Sequence, residues 1–182
     1  TTDLKQVQKL AGCVAAFSRF ISRLGEKALP LFRLLRCIDH FKWTDATTAG
    51  LEEIKALLAS NPILAAPNTG EPMLLYISAT HQVVSAVLVI EREQDGHKFP
   101  LQKLLYYVST VLTPCKSWYP HHQKIAYAVF MASRKLRHYF QECSITVASE
   151  VPLNDIIKNR DATGRIAKWA IELLPFDITY KP

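Results

Sequence analysis

Basic side chains are concentrated in two stretches of this 182-residue chain, whose formal net charge is +6. Residues 1–43 contain eight lysines and arginines against three acidic residues. The second stretch, between Asp95 and Glu142, contains seven basic residues and no acidic one. Clustered positive charge of this kind attracts a polyanion such as nucleic acid. A solvated helix face is the alternative that charge alone leaves open.

The cysteines and histidines predict no metal centre. The cysteines form no CxxC or mixed Cys/His ligand pattern, so we expect free thiols that are buried or half-buried. They are Cys13, Cys37, Cys115 and Cys143. His121 and His122 are adjacent, and neighbouring residues on a helix point in different directions. Because no second ligand pair is evident, zinc binding is not expected.

Two aromatic groups could stack on nucleobases. They are Trp118 with Tyr119, and Trp169 four residues after Arg165. We favour the alternative that these rings belong to the core or its boundary. Trp43 is expected to be a packing anchor for the helices around it.

Hydrophobic spacing predicts helices in the first third of the chain. Apolar residues recur every three or four positions from Val7 to Leu24, which predicts one amphipathic helix that Gly25 ends. A shorter helix is predicted over 29–36. Thr44 and Asp45 favour the start of another helix, which must stop near residue 61. The proline-rich stretch 62–72 then reads as a linker or extended connection.

The remainder of the chain alternates between strand and helix patterns. The predicted elements are strands over 73–78, 83–91 and 104–109, a helix over 119–140, a strand over 145–148, helices over 153–157 and 163–174, and a strand over 176–180. With the two helices over 153–157 and 163–174 taken together, the order is three strands, a helix, a strand, a helix and a strand. It defines an α/β (α+β) fold with five strands and flanking helices.

This order is that of the RNase H fold, and several sequence blocks make the resemblance specific. Residues 7–12 and 19–21 resemble the thumb of gypsy-type LTR-retrotransposon reverse transcriptases, with plant elements the most similar. Residues 41–44, 51–55 and 62–64 resemble their connection, and residues 106–109, 134–140, 152–153 and 164–173 their RNase H domain. The resemblance implies thumb and connection helices over 1–61, a linker over 62–72, and a degenerate RNase H-like domain with a mixed sheet over 73–182, truncated at its C-terminal end.

The resemblance also locates the missing chemistry. RNase H activity uses two divalent metals held by carboxylates, because hard ions such as Mg²⁺ prefer oxygen ligands. Alignment with the family motifs places Ser78, Ile125 and Ser149 at the first three carboxylate positions. We therefore expect no catalytic residue, no metal site and no cofactor in this fragment. The polymerase aspartates also lie outside these residues, so polymerisation is not expected.

An active nuclease that uses shifted carboxylates is the alternative, and only then would Mg²⁺ be expected. Glu150 follows Ser149, but side chains alternate across a strand, so it should point away. The other acids considered lie before the first strand or on later segments, and they are Glu71, Asp155 and Asp161.

Without catalysis, the resemblance implies a tether that holds an RNA–DNA hybrid and positions neighbouring polymerase and nuclease or integrase domains of the same polyprotein. The predicted nucleic-acid-binding residues are Lys5, Lys9, Arg19, Arg23, Lys27, Lys124, Arg134 and Arg137. A host protein derived from a decayed element, acting only through protein contacts, is a third interpretation.

Location and chain limits follow from simple features. No apolar run reaches the roughly 18 residues that a membrane-spanning helix needs, and the first residues lack a secretory pattern. We expect a cytoplasmic particle or the nucleus, no secretion and no membrane partner. A chain that opens on Thr1 is expected of a piece cut from a longer protein.

Overall fold

The computed structural model describes residues 4–36, 42–60, 63–94, 96, 98–159 and 164–181. Its first part contains helices α1 (Leu4–Ala16), α2 (Leu24–Lys27), α3 (Leu29–Arg36) and α4 (Asp45–Ala59), with a 3₁₀ turn at Ser18–Phe20. Its second part contains β1 (Met73–Ala79), β2 (Val83–Arg92), β3 (Leu101–Val111), α5 (Pro114–Ser117), α6 (His121–Lys135), α7 (Arg137–Glu142), β4 (Ile145–Ala148), α8 (Leu153–Ile157), α9 (Gly164–Leu173) and β5 (Ile178–Lys181).

The five strands form one mixed sheet in the order β3-β2-β1-β4-β5. β1, β2 and β3 pair antiparallel, as short connections allow, whereas β4 is parallel to β1 and β5 is parallel to β4. Parallel pairing needs a long crossover, and α6 with α7 supplies the crossover to β4. The predicted fold class, a mixed five-stranded sheet with flanking helices, is confirmed.

Helix α6 forms the centre of the core. Ten consecutive residues, from Lys124 to Ser133, are buried, and the apolar ones pack against alternate residues of β1 and β2. Met73 and Leu75 belong to this cluster, as do their partners Ile90 and Leu88 across the ladder. A helix that is apolar on nearly every side is expected where a sheet covers one face and other helices cover the rest.

The first helical segment differs from the prediction. One continuous helix to Gly25 was expected, but α1 ends at Ala16 and the chain turns before α2 begins. Arg23, not Gly25, takes the left-handed conformation, with φ 52°. The turn lets Ile21 and Leu24 join a second buried cluster with residues of α1, α3 and α4. Tertiary burial therefore outweighs the local periodicity.

Gly25 instead allows close packing between the helices and the sheet. Its backbone N–H donates to Ser109 Oγ over 2.9 Å. A Cβ at this position would lie 2.7 Å from that oxygen and 2.8 Å from Val83 Cγ1. Only glycine fits such an approach without displacement.

The remaining helix predictions hold with local corrections. Thr44 caps α4 by accepting the Thr47 N–H over 3.3 Å, as predicted. The helix predicted over 119–140 is two helices, α6 and α7, separated at Leu136, and α5 was not predicted.

The segment before β1 is fixed to the sheet by Arg92. This guanidinium donates two hydrogen bonds of 2.8 Å to the Glu71 carboxylate and one of 2.8 Å to the Ala66 carbonyl. Ala65 N–H also donates to the Leu104 carbonyl over 2.7 Å. The Arg92 hydrogen bonds, with a further one from Asn68 N–H, lower the pKa of Glu71 to about 2.

This lowered pKa predicts an acid-dependent contribution to stability. Because the folded pKa lies below the ordinary value of 4.5, the contribution is complete above pH 4.5 and is lost as pH falls towards about 2. The Glu71→Gln variant should therefore be less stable than the wild type at neutral pH, and the difference should shrink over that window. Urea unfolding as a function of pH measures it. A difference independent of pH would contradict this role for the carboxylate.

Candidate functional site

Ser78, Ile125 and Ser149, which the family motifs align with carboxylates, lie at the edge of the sheet where parallel strands end. β1 and β4 are parallel, so their C-terminal ends meet there. The first turn of α6 reaches the same edge, since Lys124 Nζ donates to the His81 carbonyl over 3.3 Å. On the other side, His121 Nε2 lies 2.9 Å from Glu150 Oε1.

The three positions share this edge but not one face. Ile125 is 1 % exposed within the main core. Ser149 is also buried, and its Oγ accepts the Val151 N–H over 3.1 Å. Ser78 is exposed. Its strand neighbours Ile77 and Ala79 pack against the core that contains Ile125, so alternation directs Ser78 to the opposite face.

Lys124 is not the surface contact that the sequence predicted. Lys124 is only 7 % exposed. Its side chain reaches the β1–β2 turn, where the ammonium donates to the His81 carbonyl. A lysine can bury its aliphatic stem against apolar neighbours while its charged end finds a polar partner. The prediction of a phosphate contact at Lys124 is therefore withdrawn.

The acidic residues near this edge point outward or lie elsewhere. Ser149 and Glu150 follow the last residue of β4; Ser149 is buried and Glu150 is exposed. Asp155 is exposed on α8, and Asp161 falls outside the described residues. Within the described ranges, no group of three or more His, Cys, Asp or Glu side chains is arranged to hold a metal.

The cysteines are free thiols where the structure describes them, but only Cys143 is buried. Cys13 and Cys115 are exposed, so the expectation of burial was wrong for both. Cys37 lies outside the described residues.

The predicted basic residues of the first helices are exposed to different degrees. Lys5, Lys9, Arg19 and Arg23 are exposed. Arg23 pairs with Glu26 at 3.4 Å, and half-buried Lys27 pairs with Glu53 at 2.8 Å. The Arg19 guanidinium lies 5.2 Å from the centre of the Tyr106 ring. This contact places its charge beside β3, the outermost strand on that side of the sheet.

Arg134 and Arg137 form the more open basic site. Both are exposed, and they line a groove of about 690 Å³ together with Gln141 and Glu172. Neither arginine forms an ion pair within the described part of the chain. The Arg134 guanidinium lies 5.5 Å from the centre of the Phe130 ring. Two arginines without ion-pair partners on one exposed groove can donate hydrogen bonds to phosphate groups.

Of the two tryptophans predicted to lie in the core or at its boundary, Trp169 does and Trp118 does not. Trp169 is buried among Tyr119, Tyr127 and Phe130, which confirms a core role. Trp118 is 81 % exposed, so its predicted place in the core or its boundary is wrong.

Trp43 packs against the second cluster and donates through Nε1 to Thr48 Oγ1 over 2.7 Å. The predicted packing anchor is confirmed.

Fold and sequence together identify the class. The sheet order and the α6 crossover are those of an RNase H-like domain, and residues 43–147 match the family described as the RNase H-like domain found in reverse transcriptase. The chain belongs to this family. The matched residues extend across the predicted linker, and the domain boundaries at 61 and 73 stay predictions.

Related sequences are retrotransposon polyproteins. The chain is 26% identical to the Transposon Tf2-3 and Tf2-4 polyproteins of Schizosaccharomyces pombe (strain 972 / ATCC 24843), over 98% of its own length and 14% of theirs. It therefore spans only a small part of these relatives. The finer assignment to gypsy-type elements is consistent with this similarity and stays a prediction.

Solved structures show the same fold. A foamy viral protease-reverse transcriptase in complex with RNA/DNA hybrid superimposes with a TM-score of 0.75 at 22% identity, covering 99% of this chain and 25% of that one. A second foamy viral structure, in complex with dsDNA, gives a TM-score of 0.74 at 22% identity, covering 100% of this chain and 38% of that one. No helix within the described ranges is long and apolar enough to span a bilayer.

Proposed function

We propose that this chain is a non-catalytic part of a reverse transcriptase polyprotein, which holds an RNA–DNA hybrid and positions neighbouring polymerase and nuclease domains. The observation that carries the proposal is Ile125, an apolar residue buried in the core at the edge where the family needs a metal-binding carboxylate.

The residues at this edge do not fit a pair of Mg²⁺ ions. Such ions need several oxygen ligands, and carboxylates must offset their charge. Ile125 offers no ligand atom, and Ser149 offers only a neutral hydroxyl oxygen that already accepts one backbone N–H. The Lys124 ammonium, one residue before Ile125, adds positive charge near the same edge. All three features oppose metal loading.

Binding of the hybrid would depend on electrostatic contacts with phosphates. The groove arginines Arg134 and Arg137 are the main candidates, with Lys9 and Arg19 on the helical part. Contacts with phosphates position a protein on a duplex but carry little sequence information, and they weaken with salt. The foamy viral relative of the same fold is in complex with RNA/DNA hybrid, which supports a hybrid as the ligand.

Charge reversal tests this assignment. The double variant Arg134→Glu, Arg137→Glu should bind an RNA–DNA hybrid at least about tenfold more weakly, and the slope of log K against log salt should fall by about 2, roughly one for each lost phosphate contact. Fluorescence anisotropy over a salt series measures both. The matched control is Lys42→Glu, Lys55→Glu, which makes the same charge change at two exposed positions near and on α4. An equal loss in the control would contradict a local site.

A further inference from the structure

Trp118 is the most exposed aromatic ring in the described part of the chain. It lies at the end of α5, and its ring contacts His81 edge-on at 6.3 Å between centroids. With 81 % of its surface exposed, Trp118 gains little of the hydrophobic stabilisation that burial of so large a side chain would give. The exposed indole ring is available to stack on a flat partner.

Two cations lie close to Trp118 through its chain neighbours: Lys116 is two residues before it, and Arg165 lies against Tyr119, the residue after it. The Arg165 guanidinium lies 4.2 Å from the centre of the Tyr119 ring, and Lys116 Nζ lies 4.4 Å from the centre of the Tyr127 ring. Lys116 also donates to the Tyr127 hydroxyl over 2.8 Å. Neither cation forms an ion pair in the ranges that the structure describes. The aromatic rings therefore hold both charges in place without neutralising them.

The charge around Trp118 favours an anionic partner. The sequence has no acidic residue between Asp95 and Glu142, and the exposed carboxylate of Glu150 lies 2.9 Å from His121 Nε2. An apolar protein partner would have to cover Arg165 and Lys116 and remove them from water without compensation. A nucleic-acid strand offers phosphates for the cations and a flat base for the ring.

We infer that Lys116, Trp118, Tyr119 and Arg165, here called the Trp118 surface, bind single-stranded nucleic acid. Trp118 stacks on an unpaired base, and the two cations contact flanking phosphates. Bases within a duplex are already stacked, so the ring is useful only for an unpaired strand. The inference goes beyond the proposed hybrid contact and is independent of Arg134 and Arg137.

The experiment measures binding of the whole chain to an oligothymidylate of about twelve nucleotides, within the usual site size of such proteins. Trp118→Ala should weaken binding roughly five- to hundredfold, the fold-change that corresponds to one lost stacking contact. Trp118→Phe should restore a large part of the affinity. Arg165→Gln should reduce the salt dependence.

The matched control is Phe99→Ala. Phe99 is also highly exposed, at 73 %, and Lys98 Nζ lies 5.8 Å from its ring centre, but it lies outside the Trp118 surface. Its removal should leave oligothymidylate binding unchanged. Both exposed rings can be removed with little effect on the melting temperature, which separates loss of binding from loss of folding.

The result that overturns the inference is equal affinity of Trp118→Ala and wild type, or an equal loss in the Phe99 control. Hybrid binding by the same variants is measured in parallel. If hybrid binding depends on Arg134 and Arg137 while oligothymidylate binding ignores Trp118, the proposed function stands and the single-strand site does not. The reverse outcome supports the single-strand site and removes the hybrid tether.

Discussion

Replacing Ile125 with glutamate is expected to lower the free energy of unfolding by at least about 3 kcal/mol. The substitution restores the residue type that the family uses, but in this chain the position is 1 % exposed and surrounded by the main core. A carboxylate there loses its hydration among apolar side chains of the core. Urea unfolding followed by circular dichroism measures the loss.

Conservative variants separate charge from volume at Ile125. Ile125→Leu and Ile125→Met keep the apolar character and should cost less than about 1.5 kcal/mol. Adding Mg²⁺ should not recover the stability of Ile125→Glu, alone or combined with Ser78→Asp and Ser149→Asp, because Ser78 faces away from the other two. Wild-type stability of Ile125→Glu would contradict the expected burial cost, and its stabilisation by Mg²⁺ would show that the edge can still hold a metal.

Replacing Gly25 with alanine is expected to lower the free energy of unfolding by about 1–3 kcal/mol through overpacking. The added methyl group meets Ser109 Oγ and the buried Val83 side chain at distances that force a displacement. The hydrogen bond from Gly25 N–H to Ser109 Oγ is strained by the same movement. Thermal or urea unfolding gives the magnitude.

Gly12 provides a control of opposite sign. It is exposed within α1, and a Cβ there meets nothing within 4 Å. Gly12→Ala should therefore raise stability by about 0.5–1 kcal/mol, because alanine is the better helix former. If Gly25→Ala raised stability as much as Gly12→Ala, the close approach of α2 to the sheet would not be a constraint on the fold.

Helices and strands whose sequence signals lie within a few neighbouring residues could be predicted from sequence. β4 was predicted with the observed bounds, since a short β-branched run between polar residues leaves few alternatives. The start of α4 was found through Thr44, because capping involves residues only three positions apart.

Features that depend on distant partners could not be predicted. The turn between α1 and α2 exists because Ile21 and Leu24 are buried against α3 and α4, and no local signal reports those partners. Lys124 looked like a surface cation until the fold placed the His81 carbonyl within its reach. Trp118 looked like a core residue because its exposure depends on where α5 lies beside the sheet.

The site predictions were limited in the same way. Motif alignment located Ser78, Ile125 and Ser149 at the same edge, but it could not give the face on which each side chain lies. That depends on the pairing of β1 with β2 and β4. The basic residues were found by composition, whereas their ion pairs with Glu26 and Glu53 are tertiary or turn contacts.

The hybrid assay on the wild-type chain, with Mg²⁺ or Mn²⁺ added and the RNA strand followed on a gel, tests the central claim most directly. We predict that the chain binds the hybrid, that binding weakens steeply with salt, and that the RNA strand stays intact with either metal. Metal-dependent cleavage of the RNA strand that is lost in Glu150→Gln would contradict the account, because it would mean that a shifted carboxylate serves an active nuclease.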